Sequence, residues 1–135
     1  MSGIIGGAGS KSGVIGTTEL DYEEGIWEPS GTNLHADQDG YYTKVGRLVT
    51  CTCRMNGSTG QVPVPMSGLP FTQVADSSTY GNGGGVVTWH NDSAGETYTI
   101  QVNEDAVTFY LRYGTVNKNV ESGKTYVACF QYFAA

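Results

Sequence analysis

Two runs of strict alternation constrain this chain more than any other feature. Between Arg47 and Met55, the residues Val49, Cys51, Cys53 and Met55 share one side, and Leu48, Thr50, Thr52 and Arg54 share the other. Between Lys124 and Phe133, Tyr126, Ala128, Phe130 and Tyr132 stand opposite Val127, Cys129 and Phe133. Successive side chains of a strand point to opposite faces of a sheet, so a period of two selects strands; a helix would scatter the same residues around its axis.

The rest of the chain follows the same pattern in shorter pieces. Gly40–Val45 (GYYTKV) and Gly85–His90 (GVVTWH) read as strands, and so does Ala106–Tyr113. Glu96–Val102 sets Tyr98, Ile100 and Val102 against Thr97, Thr99 and Gln101. Asn56–Gly60 (NGSTG) is a turn-forming cluster, and Val62 and Val64 beyond it are separated by prolines in the way that suits an edge strand. Asn103-Glu104-Asp105 reads as a tight turn, and Tyr80–Gly85 (YGNGGG) as a hairpin tip. About eight short strands with turn signals every 8–12 residues or so predict an all-β, jelly-roll-like antiparallel β-sandwich.

Met1–Gly16 (MSGIIGGAGSKSGVIG) is too rich in glycine to form a strand or helix by itself. Residues 1–25 are therefore expected to form an extended N-terminal attachment or assembly arm, with residues 26–135 as the sandwich. Ile4, Ile5, Val14, Ile15 and Trp27 are the apolar anchors expected in that arm, ahead of or beside an acidic patch of Glu19, Asp21, Glu23 and Glu24.

At 135 residues the chain fits one domain. Its net charge of -6, with no run of Lys or Arg, argues against nucleic acid as a partner. The first residues lack the basic-then-apolar order of a secretory signal, and no apolar stretch is long enough to span a bilayer. A soluble protein made in a reducing cytoplasm is expected. Its odd set of cysteines, Cys51, Cys53 and Cys129, should then be thiols.

The fragments that suggest chemistry are each incomplete. Gly7–Ser12 lacks the glycine that a phosphate-binding loop needs before Lys11. Cys51-x-Cys53 supplies two neighbours on one strand face, but zinc needs about two further ligands and no second pair has the spacing, so buried thiols are expected and no metal or other cofactor. His90-Asn91-Asp92-Ser93 holds the residue types of a hydrolase triad, yet triad members converge from separate elements. Asp37-Gln38-Asp39-Gly40 opens like a calcium loop without its closing glutamate. Asp21, Glu23 and Glu24 read as a solvated connector. The chain is expected not to be an enzyme.

The aromatic residues are more informative: the chain has nine tyrosines, four phenylalanines and two tryptophans. Phe109 and Phe130 belong in the core. Tyr80, Asn82, Trp89, His90, Asn91 and Asp92 gather rings, amides and a carboxylate around the glycine-rich tip, the mix that a sugar site needs. Core packing is the competing expectation for Trp89.

Three further runs carry a resemblance. Gly13–Pro29 (GVIGTTELDYEEGIWEP) resembles the lead-in to C-terminal domains of tail-fibre and related appendage proteins of tailed, especially marine, phages, in which a similar DYEEGTWTP run occurs. Gly40–Val49 is similar to that family's YTKVGR-V strand pair, and Ser67–Phe71 (SGLPF) to its turn. Ile26-Trp27-Glu28 departs from the usual Thr-Trp-Thr. The resemblance implies a jelly-roll-like homotrimer on a virion, assembled in the host cytoplasm, with no catalytic residues to carry over. The function then expected is recognition of a host-surface glycan by a receptor-binding fibre tip or knob. The alternative is a capsid decoration (cement) protein, gripping the head through its arm. Other virion proteins of capsid or tail are the expected partners besides the chain itself. If Met1 is the native start, a stub-like knob or a decoration protein fits better than a long fibre.

Overall fold

The computed structural model describes residues 21–35, 39–75 and 83–135. Among them there is no helix. The strands are β1 (Tyr22–Trp27), β2 (Gly40–Val45), β3 (Leu48–Asn56), β4 (Met66–Ser67), β5 (Gly84–His90), β6 (Thr99–Val102), β7 (Thr108–Tyr113), β8 (Val116–Asn117) and β9 (Thr125–Phe133). They form one antiparallel sheet in the order β1-β2-β3-β9-β5-β6-β7-β4, with β8 paired to β7. The sheet curls into a half-barrel. The curl brings its two ends together: Ser30, just beyond β1, exchanges backbone hydrogen bonds of 2.9 and 2.8 Å with Ser67 of β4.

The longest alternating runs are the two central strands. β3 and β9 pair over their whole length, from Leu48↔Phe133 to Asn56↔Thr125. Val49, Cys51, Cys53 and Met55 meet Tyr132, Phe130, Ala128 and Tyr126 on the inner face, all buried. Ile100, Val102, Phe109 and Leu111 extend that face across β6 and β7. The edge strand expected at Val62 and Val64 reduces to one bridge, Val62↔Val120, and the Val62 and Val120 side chains are both buried in the core. Tyr98 still faces inward as the alternation predicts, although regular β6 begins one residue later.

The expected boundary between arm and domain shifts. Residues 22–25, read as arm, pair with β2 in the register Tyr22↔Val45 to Gly25↔Tyr42. Trp27, expected among the arm's anchors, is a core residue of this chain, 5% exposed. Its indole packs edge-on to Phe109 and Phe130 with ring centroids 5.9 Å apart in each case, and its Nε1–H points at the Tyr41 and Thr52 carbonyls, 3.2 Å from each. The reason is the cross-strand partner. Gly40 lies opposite, and a Cβ there would stand 2.7 Å from the indole nitrogen, so glycine leaves the seat that the ring occupies. Ile4, Ile5, Val14 and Ile15 lie outside the described residues.

Candidate functional site

The candidate residues at the end of β5 are arranged by one irregularity. Register runs Val87↔Ala128 and then Trp89↔Val127, so Thr88 is an extra residue in the strand. A bulge of this kind reverses the facing of everything after it. Unbroken alternation from Gly85 and Val87 would have put Trp89 in the core and His90 outside. Instead Trp89 is 54% exposed, and His90 turns in opposite Tyr126. Thr88 bridges the defect by donating its hydroxyl to the Val127 carbonyl at 3.2 Å.

His90 and Asp92 then belong to an internal polar cluster. The His90 ring stacks on Tyr126 at 6.1 Å and meets the edge of Tyr98 at 4.7 Å. Its Nε2–H donates to the Glu96 carbonyl at 3.0 Å, because a carbonyl oxygen can only accept. Asp92, its side chain about one-tenth exposed, accepts from the hydroxyls of Tyr126 and Tyr98 and pairs with the Lys118 ammonium at 3.3 Å. Lys118 also pairs with Glu121 at 2.8 Å, and Glu121 accepts from the Gln61 amide at 2.6 Å. The Tyr98 hydroxyl is shared with Glu96.

Electrostatics follow from these contacts. Burial alone would raise the Asp92 carboxyl, but the hydrogen bonds from Tyr126, Lys118 and Tyr98 and the ammonium charge outweigh it and hold the group below the usual carboxylate range. Hydrogen bonds from Lys118 and Gln61 hold Glu121 down as well. Burial works against the Lys118 charge, yet its bonds to Glu121 and Asp92 leave it above the ordinary lysine value. Burial first, and then the adjacent carboxylates, push the Tyr98 and Tyr126 phenols up. An acid engaged by three donors is a poor proton shuttle near neutral pH, so the cluster acts as a clamp between the turn after β5, β9 and the 118–121 segment.

The six candidates therefore separate. Trp89 offers its ring to solvent. Asn91 is exposed, but its side-chain oxygen accepts from the Thr125 amide at 2.8 Å and ties the strand end to β9. His90 and Asp92 face inward. Tyr80 and Asn82 lie outside the described residues. The triad reading of His90 to Ser93 meets an exposed turn serine and a His90 ring whose Nε2 is held by the Glu96 carbonyl and whose Nδ1 is buried with no hydroxyl beside it as a hydrogen-bond partner. Asp39 pairs with Arg54 at 3.2 Å, Asp21 with Lys44 at 2.6 Å, and Glu23 and Glu24 accept from the Tyr42 and Tyr22 hydroxyls. Among the described residues, no group of three or more His, Cys, Asp or Glu side chains is placed to hold a metal.

A larger feature went unread in the sequence: the outer face of the sheet. The strand registers stack its residues in rows that cross β1, β2, β3 and β9. The first is Tyr22, Val45, Leu48 and Phe133; the second is Glu24, Thr43, Thr50 and Gln131; the third is Ile26, Tyr41, Thr52 and Cys129, continued by Val86 on β5. A fourth short row holds Arg54, Val127 and Trp89. Ile26 is 77% exposed and Tyr41 61%. The signal was present in the alternation of Tyr41, Thr43 and Val45, but which face of an edge hairpin meets the core depends on its partner strand.

Against this geometry, comparison with protein-family models, curated proteins and solved structures finds no match to the chain.

Proposed function

We propose that the chain is a virion surface module of a tailed phage, of tail-fibre or knob type, that works in a homo-oligomer by contact and recognises a host-surface glycan. In this reading the curled sheet is a variant of the jelly-roll-like sandwich. The observation that carries the recognition part is the solvent-facing indole of Trp89, placed by the β5 bulge in the same row as Arg54, with Asp39 beside it. An exposed ring can lie on the apolar face of a pyranose, and a guanidinium and a carboxylate on the same surface can exchange hydrogen bonds with its hydroxyls. His90 and Asp92 support that surface from beneath by fixing the end of β5. The three sequence runs that resemble phage appendage domains support the virion setting.

Gold-labelled antibody against the chain, applied to intact virions, tests the setting. Label confined to the tail or one vertex is the expected result. Label over the whole shell would replace attachment by head decoration, and unlabelled particles would overturn the reading.

A further inference from the structure

Exposed apolar side chains are normal singly, but a contiguous patch on one face marks an interaction surface. Of the large hydrophobic side chains that the described residues expose, Tyr22, Ile26, Tyr41, Val45, Val86 and Phe133 fall in the first and third rows of the outer face. We infer that the first three rows are where a second copy of this chain packs, outer face on outer face. The inference rests on the self-assembly part of the reading above.

Three observations select a second copy as the occupant. The first is charge. The chain carries -6, so two copies repel through most surfaces, yet Glu24 is the single charged residue among the twelve positions of these rows on β1, β2, β3 and β9. The second is area. At about 200 Å² per side chain, the exposed fractions of Tyr22, Ile26, Tyr41 and Phe133 amount to roughly 480 Å², more than half of the 800 Å² or so that each partner of a stable pair buries.

The third is that the rows complement themselves. A two-fold axis parallel to the strands, between β2 and β3, reverses each row against its own copy. Tyr22 then meets Phe133 of the second copy and Val45 meets Leu48. In the middle row Glu24 meets the amide of Gln131, and Thr43 meets Thr50. In the third row the bulky Ile26 and Tyr41 meet the shorter Cys129 and Thr52, large against small. Apolar covers apolar, polar covers polar, and no two Glu24 carboxylates come together. A face that pairs with itself closes at two copies, where the phage resemblance implies three. The fourth row, with Trp89, lies at the margin and stays open for a ligand.

Sedimentation of the full chain over a wide concentration range, with alkylation of Cys129 as a second readout, tests this. Wild type is expected to be a dimer. Ile26→Lys and Val45→Lys, both at exposed positions that the fold tolerates, are expected to weaken it by about 30-fold or more. Val116→Lys, its exposure between those of Val45 and Ile26 but on β8, should leave it intact. Cys129, covered by Ile26 of the second copy, should be alkylated about tenfold faster in Ile26→Lys than in wild type. A trimer, or a dimer indifferent to both lysines, overturns the face-to-face pair and leaves self-assembly standing. A monomer overturns both, including one in which Cys129 is still protected, since the face would then be covered by something other than a second copy.

Discussion

Asp92 concentrates three hydrogen-bond donors on one carboxylate; its removal would leave the Tyr126 hydroxyl without its acceptor in a largely enclosed site, while Tyr98 keeps Glu96 and Lys118 keeps Glu121. Asp92→Ala is expected to cost about 1–3 kcal/mol in chemical denaturation, most of it the penalty of the stranded Tyr126 hydroxyl. The same cluster shapes the pH dependence. Asp92 and Glu121 are held below ordinary carboxylates in the fold, so on acidification the unfolded chain takes up protons first, and stability should fall from about pH 4 downward. Lys118, Tyr98 and Tyr126 are held above their ordinary values, so the unfolded chain releases protons first, and stability should fall again above about pH 10. Denaturant midpoints measured across pH check both limbs, and Asp92→Ala should flatten the acid one. The two tryptophans make a contrast of burial. Trp27→Ala should cost about 3–5 kcal/mol, because it empties a site between Phe109 and Phe130. Trp89→Ala should change stability by no more than about 0.5 kcal/mol, yet abolish binding to bacterial surface glycans on an array.

At the scale of elements, β5 shows how a single extra residue redirects a strand. Its first half is locked by close approach: a Cβ on Gly85 would stand 2.1 Å from the Cys129 carbonyl oxygen and 2.6 Å from the Phe130 Cβ. Gly85→Ala should therefore separate β5 from β9 and cost about 1–3 kcal/mol, read as a lowered midpoint with the far-ultraviolet spectrum retained. Its second half is set by the bulge. The sequence marks 85–90 as a strand to within a residue of the observed β5, as it does for β2, β3 and β9. It does not mark the bulge, because Thr88 is as acceptable in a regular strand as in an irregular one. The facing of Trp89 and His90 depends on that one residue, so the candidate site was legible in its residue types and position but not in which of them see solvent.

The whole molecule sorts the cysteines by layer. Cys51 and Cys53 line the inner face, where burial pushes the Cys51 thiol up to about 12 and Cys53 higher still, while Cys129 sits on the outer face. Alkylation followed by peptide mass mapping should modify Cys129 first, at a rate set by opening of the face-to-face pair in wild type and faster in Ile26→Lys, and Cys51 and Cys53 only as fast as the sheet unfolds. The sequence by itself determined the longer strands β2, β3, β5, β6, β7 and β9 and the inner face of β3 and β9, since period-two alternation is a local property and a core of Val, Met, Phe and Tyr can stand on one side of a strand in only one register; it did not mark β1, β4 or β8. The tertiary structure decided which strands are neighbours, that one sheet curls until its ends meet at Ser30 and Ser67, and that Trp27 is core rather than arm. It also assembled the outer rows, each of which draws residues from strands up to 111 positions apart, as with Tyr22 and Phe133. Such rows exist only once hydrogen-bond register is fixed across the sheet, and register is set by long-range pairing that no local window contains.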